Sequence, residues 1–183
     1  MSKITFHSSL ALVIAIALMI APLAIRPAAA GSTEIPISAY NIACTKQEGK
    51  LWVEEGVLHI RGRVLQSVVI SESEYHAGTG QIVGNANIDL ATRYGTYHGT
   101  LEIYPAAKNG YWAGIWTMQV NESGADGIAR LQGYGPDLEG LSIKSEITYL
   151  SPLDLSGYAY ACSGNQPISG TSSNGVILMP GGE

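Results

Sequence analysis

Beyond residue 30, no long stretch of this chain repeats an apolar residue at helical spacing. What recurs is a short run of β-branched and aromatic residues bounded by glycine. A chain patterned this way has no amphipathic helix to bury, so its core must form between the faces of strands. Composition supports the point: all 22 glycines fall after residue 30, about twice the average share for that length. Strands are expected over residues 39–44 leading into 50–53, then 57–70, 81–90, 95–104, 111–120, 127–134, 138–149 and 157–162. The gaps hold Glu55-Gly56, Lys108-Asn109-Gly110, Glu122-Ser123-Gly124 and Tyr134-Gly135-Pro136-Asp137, the residues that hairpin connections require.

About eight consecutive strands with short connections predict an all-β fold, a single antiparallel up-and-down β-barrel, because closure removes the exposed edges of a long meander. A two-sheet β-sandwich is the alternative. Cys44 and Cys162 are the only cysteines. They stand near the two ends of the strand-rich region, and a disulfide between them is expected. In a closed barrel the first and last strands are neighbours, which would bring the two together.

Residues 1–30 read as a signal peptide: Lys3 at the start, an apolar run from Leu10 to Ala21, and Ala28-Ala29-Ala30 before Gly31. The run is too short for a spanning helix, and Pro22 and Pro27 break the segment after it. The expected location is therefore secreted or extracytoplasmic, with no stable membrane anchor after cleavage. Loss of Lys3 and Arg26 lowers ten basic residues to eight against fifteen acidic, a balance that argues against a nucleic acid partner. Residues 31–163 form the expected barrel domain. Residues 164–183, rich in glycine and serine, are expected to be a flexible tail.

The stretch Gly95-Thr96-Tyr97-His98-Gly99-Thr100-Leu101 is echoed by Gly110-Tyr111-Trp112-Ala113-Gly114-Ile115-Trp116. Residues two apart on a strand share a face, so Tyr97, Gly99, Leu101 and Ile103 point one way, as do Trp112, Gly114, Trp116, Met118 and Val120. These faces are assigned to the interior. Tyr97, Leu101, Trp112, Trp116 and Met118 are the candidate lining of a ligand lumen; the competing reading is that they simply fill a core. Gly133-Tyr134-Gly135 followed by Leu138-Glu139-Gly140-Leu141 resembles the G-x-G-x-x-x-E-G pattern of allene-oxide-cyclase-like, calycin-type barrels and their uncharacterised bacterial relatives. The resemblance implies an eight-stranded barrel with an apolar lumen. It carries no catalytic residue over to this chain, and Ser142 and Ile143 stand where a further glycine belongs.

Little else suggests chemistry. His59, His76 and His98 fall on separate elements with no metal-ligand spacing. His98 shares a face with Glu102, and His59 with Arg61 and Arg63; each set is expected on a polar outer surface or projecting to a barrel mouth. No Gly-x-Ser-x-Gly motif is present, and neither a cofactor nor a metal is implied. Ten tyrosines and three tryptophans follow residue 30, while the single phenylalanine, Phe6, precedes it; aromatic residues with polar handles suit half-wet positions. Asn121-Glu122-Ser123 is a glycosylation sequon on an expected turn. Three functions remain open: binding of a small apolar ligand in the lumen, a structural or surface-interaction domain with a filled core, and an isomerase- or cyclase-like enzyme.

Overall fold

Among the described residues the chain forms nine strands, most of them alternating between buried and exposed positions. The computed structural model describes residues 33–44, 48–151, 154–162, 167 and 169–180; the expected signal peptide and its cleavage point lie outside them. The strands are β1 Thr33–Ala43, β2 Glu48–Glu54, β3 Val57–Ser71, β4 Gly78–Asp89, β5 Gly95–Pro105, β6 Tyr111–Asn121, β7 Gly124–Tyr134, β8 Ser142–Leu150 and β9 Ser169–Met179. A kinked 3₁₀ segment, Asp154–Ala161, joins β8 to β9.

Each strand from β3 to β9 pairs antiparallel with the next, and β1 pairs with both β9 and β3, so eight strands close into a barrel. The ninth, β2, pairs with β3 over Val57–Val64, outside the ring. The barrel, not the sandwich, is the fold. Paired residues followed round the ring from Ser71 through Ala39, Ser173, Ile147, Gly127, Met118, Tyr97 and Ala86 lead back to Ile60 rather than to Ser71. That stagger tilts the strands and sets a bore that side chains fill only where they are large.

Two expectations are corrected. Residues 157–162 are not a strand; they lie in and just beyond the 3₁₀ segment. The last strand comes instead from residues 164–183, expected to be a flexible tail: β9 pairs along its whole length with β1 and over most of it with β8. Its small residues are tolerated because both neighbours supply backbone hydrogen bonds and only alternate positions, such as buried Ser173 and Ile177, face inward. The barrel domain therefore runs to Met179.

The expected disulfide is present. Cys44 and Cys162 are bonded, with Cα atoms 5.0 Å apart. The 3₁₀ segment lies against the outside of the barrel, where Leu155 packs with Ile42, Val68 and Ile70 in a small second core beside the cystine. Joining residues 118 apart restricts the unfolded chain by at most about 5 kcal/mol on chain-entropy grounds.

One end of the barrel, the floor, is closed. Trp112, Ile103, Leu138, Ile143 and Ile177 are buried there, and the indole Nε1 of Trp112 donates to Tyr75 O at 2.7 Å. Leu138 is not in a strand as expected. Hydrogen bonds from Leu138 N and Glu139 N to Gly135 O, and from Gly133 N to Leu141 O, coil the β7–β8 connection so that Leu138 drops into the bore. The glycine-rich motif thus makes part of the floor.

Candidate functional site

Towards the opposite end the bore is not filled. A cavity of about 670 Å³ reaches the surface between the β4–β5 turn, the β6–β7 turn and the β8–β9 connection. Leu101, Trp116, Met118 and Ala129 line it on the β5–β7 side, and Ile60, Leu65 and Ile82 on the β3–β4 side. Tyr97, Leu101, Trp116 and Met118 are brought together as expected. Trp112 is not with them: it shares their inward face but lies at the floor, fully buried among packed side chains. Alternation along a strand assigns a face, not a depth, and this is why the sequence groups it with the others.

Trp116 and Tyr97 meet edge to face with ring centroids 4.6 Å apart, the geometry that aromatic quadrupoles favour. Trp116 Nε1 donates to Thr100 O at 3.1 Å, which satisfies its only polar atom and leaves its ring for the lumen. Tyr97 lies over Gly84, where a Cβ would come within 2.5 Å of the ring; only glycine on β4 allows the tyrosine to lie flat against the wall. Burial raises the Tyr97 phenol above its usual pKa, while the nearby Arg63 guanidinium pulls it back.

Arg63 overturns a second expectation, that it shares one strand face with His59 and Arg61. The register of β3 against β4 shifts between Ile60 and Arg63. Gly62 adopts φ +58°, the left-handed region open to glycine, and a bulge adds one residue to β3. The phase of alternation reverses there. Arg61 stays outside, where its guanidinium donates to Ile60 O, Ala86 O and Asn87 Oδ1 at 2.7 Å each and lies 5.8 Å from the Trp52 ring centroid. His59 also stays outside, stacked on Trp52. Gly62 N donates to Asn85 Oδ1 at 2.9 Å, which holds the bulge in place. Arg63 is turned into the lumen.

The lumen therefore has two unlike walls. On β1 and β3 two cavity-lining polar atoms, Asn41 Oδ1 and Arg63 Nε, are buried with no hydrogen-bond partner; Ser67 Oγ, deeper on β3 and outside the cavity lining, is likewise unpartnered. On β5 to β7 the wall is apolar apart from the Tyr97 phenol and the Trp116 indole N–H, the latter bonded to Thr100 O. At the rim stand Asp89, Arg93 and Glu122, and Asn121 Oδ1 accepts from Ser123 N and Oγ to close the β6–β7 turn.

The other candidates fall elsewhere. His98 is exposed on the outer face, as expected. His76, which sequence reasoning does not single out for burial, is 4 % exposed in the β3–β4 loop at the floor. Burial lowers its pKa from 6.5 to about 4. The tyrosine surplus is explained partly by a stacked ladder on the outer face, Tyr104 against Tyr111 and Tyr111 against Tyr134, with centroids 5.7 and 5.2 Å apart. No group of three or more His, Cys, Asp or Glu side chains able to hold a metal occurs among the described residues.

Comparison with known proteins finds no matching family model, no matching curated protein and no matching solved structure.

Proposed function

We propose that this protein is an exported, non-enzymatic barrel that carries a small, largely apolar molecule in its lumen. The observation that supports the reading is the cavity of about 670 Å³ bounded by Tyr97, Leu101, Trp116 and Met118. A filled interior packs to crystal-like density, whereas ligand sites occupy roughly 300–1,000 Å³ and are mostly apolar with a few placed polar groups. Export is supported by the N-terminal sequence pattern and by the buried disulfide, a bond that persists outside reducing compartments. The outer face carries Lys144, Glu146, Arg130 and Gln132, a polar surface unlike the lipid-facing band of a membrane barrel.

The test is native mass spectrometry of protein purified from its own host, combined with titration by N-phenyl-1-naphthylamine, a neutral fluorophore that brightens in apolar surroundings. The expected result is a non-covalent adduct that is lost on denaturation, or saturable one-to-one fluorophore binding by adduct-free protein. Absence of both would assign the cavity no carrier role and favour the structural-domain reading.

A further inference from the structure

The proposed carrier role leaves open what sort of molecule the lumen takes, and the two unlike walls bear on this. We infer that the ligand is an amphipathic monocarboxylate whose head group pairs with Arg63 while its hydrocarbon portion lies against Leu101, Trp116 and Met118. This inference rests on the lumen-binding reading above and narrows it to a ligand class.

Three observations lead there. Arg63 lines the cavity with its Nε buried and unpartnered, and the one ion pair among the described residues is between Lys108 and Glu74, at the floor. A guanidinium in a mostly apolar bore is costly unless an anion meets it, and no carboxylate of the described residues does. The orientation is also built, not incidental. An inward Arg63 requires the Gly62 bulge, and the bulge is held by Asn85, Arg61 and Asn87; without it, Arg63 would point to solvent. Further, Asn41 is 9 % exposed, lines the same cavity and has its Oδ1 unpartnered. An amide can donate or accept, so it suits a second polar atom of the ligand without demanding charge.

Carboxylate is favoured over a doubly charged head. The one guanidinium inside the bore offers one positive charge and a planar fork that matches a carboxylate, while the rim, with Asp89 and Glu122 against Arg93, is net negative and opposes a dianion more than a monoanion. On the opposite wall Leu101, Met118 and Ala129 carry no polar side-chain atom and the Trp116 indole N–H is already bonded to Thr100 O; the one further polar group there is the Tyr97 phenol, on the side near Arg63. Charge on one wall and hydrocarbon on the other fit an amphiphile rather than a uniformly apolar molecule.

The experiment measures displacement of N-phenyl-1-naphthylamine from the wild-type protein by dodecanoate and by dodecan-1-ol, which share a chain and differ in the head. The expected result is dodecanoate binding at least tenfold tighter. Arg63→Gln should bring the ratio to about one while leaving dodecanol affinity within about twofold, and Arg63→Lys should retain part of the preference. Equal binding of acid and alcohol by wild type overturns the acid-head inference and leaves the lumen reading standing. Binding of neither, with no fluorophore bound, overturns the lumen reading itself. An acid preference that survives in folded Arg63→Gln removes Arg63 from the role. The wild-type ratio needs no variant, so the inference stays testable if Arg63→Gln fails to fold.

Discussion

The floor and the mouth of this barrel use the same strands to opposite ends. At the floor the connections bind one another: Asn109 N and Nδ2 donate to Asp137 Oδ2, Ala106 N donates to Ala77 O, and Lys108 pairs with Glu74 while lying 4.1 Å from the Tyr75 ring centroid. At the mouth the described turns close largely on themselves, as Asp89 does by accepting from Ala91 N, Thr92 N and Thr92 Oγ1. The larger side chains of the interior follow the same division: Trp112 and Leu138 plug the floor, whereas the mouth half leaves a cavity. A barrel that had only to be stable would fill both halves. Stability concentrated at one end frees the other to remain open, at the cost of two unsatisfied polar atoms, Asn41 Oδ1 and Arg63 Nε, on the β1–β3 side of the cavity.

The most direct way to break this comparison is Trp112→Ala. Trp112 is fully buried and its indole N–H is bonded to Tyr75 O, so truncation loses its burial, leaves a cavity and orphans a carbonyl. The expected loss is about 3–5 kcal/mol by urea denaturation, with fluorophore affinity in the folded fraction little changed. Equal damage to affinity would mean that floor and lumen are one unit.

A smaller effect comes from pH. The His76 pKa falls from 6.5 to about 4 on folding, so between these values the unfolded chain binds more protons. The stability contributed by neutral His76 is fully present above pH 6.5, declines as pH falls through that window and is lost below about 4. The whole loss is at most about 3 kcal/mol, of which about 1 kcal/mol should be measurable between pH 7.5 and 5.5, before most carboxylates titrate. His76→Gln should flatten that part of the curve; an unchanged slope would place the acid sensitivity elsewhere than the floor.

How far these halves are legible from the sequence varies with the kind of signal. Period-two alternation on β5 and β6 correctly puts Tyr97, Leu101, Trp116 and Met118 on one inner surface, since an unbroken strand has no other way to place them. It fails at β3, where Gly62 between two arginines is the one sign that alternation changes phase; without that sign His59, Arg61 and Arg63 form one row on a single face. The stretch forming β9 reads as a tail because Ser169-Gly170-Thr171-Ser172-Ser173 has little strand propensity of its own, and the pairing that orders it comes from β1 and β8, distant in sequence. The floor is hidden for a related reason. Leu138 is buried by a turn whose hydrogen bonds, not its residue pattern, decide its depth.

The finest test of the comparison uses two tryptophans four residues apart on β6. Trp116 is 7 % exposed and Trp112 is 0 %, yet the first borders empty space and the second does not. Trp116→Ala therefore enlarges an existing cavity instead of opening a new one, and the residual-cavity penalty that dominates at Trp112 is reduced. What is lost is the edge-to-face contact with Tyr97, about 0.5–1.5 kcal/mol, and the hydrogen bond to Thr100 O, together with some burial. A stability loss of about 1–2 kcal/mol is expected, accompanied by at least a tenfold fall in N-phenyl-1-naphthylamine affinity. The two variants should thus exchange rank between denaturation and binding: Trp112→Ala worse in the first, Trp116→Ala worse in the second. If Trp116→Ala is as destabilising as Trp112→Ala and binds the fluorophore normally, the mouth half is core like the floor and the lumen is not a site.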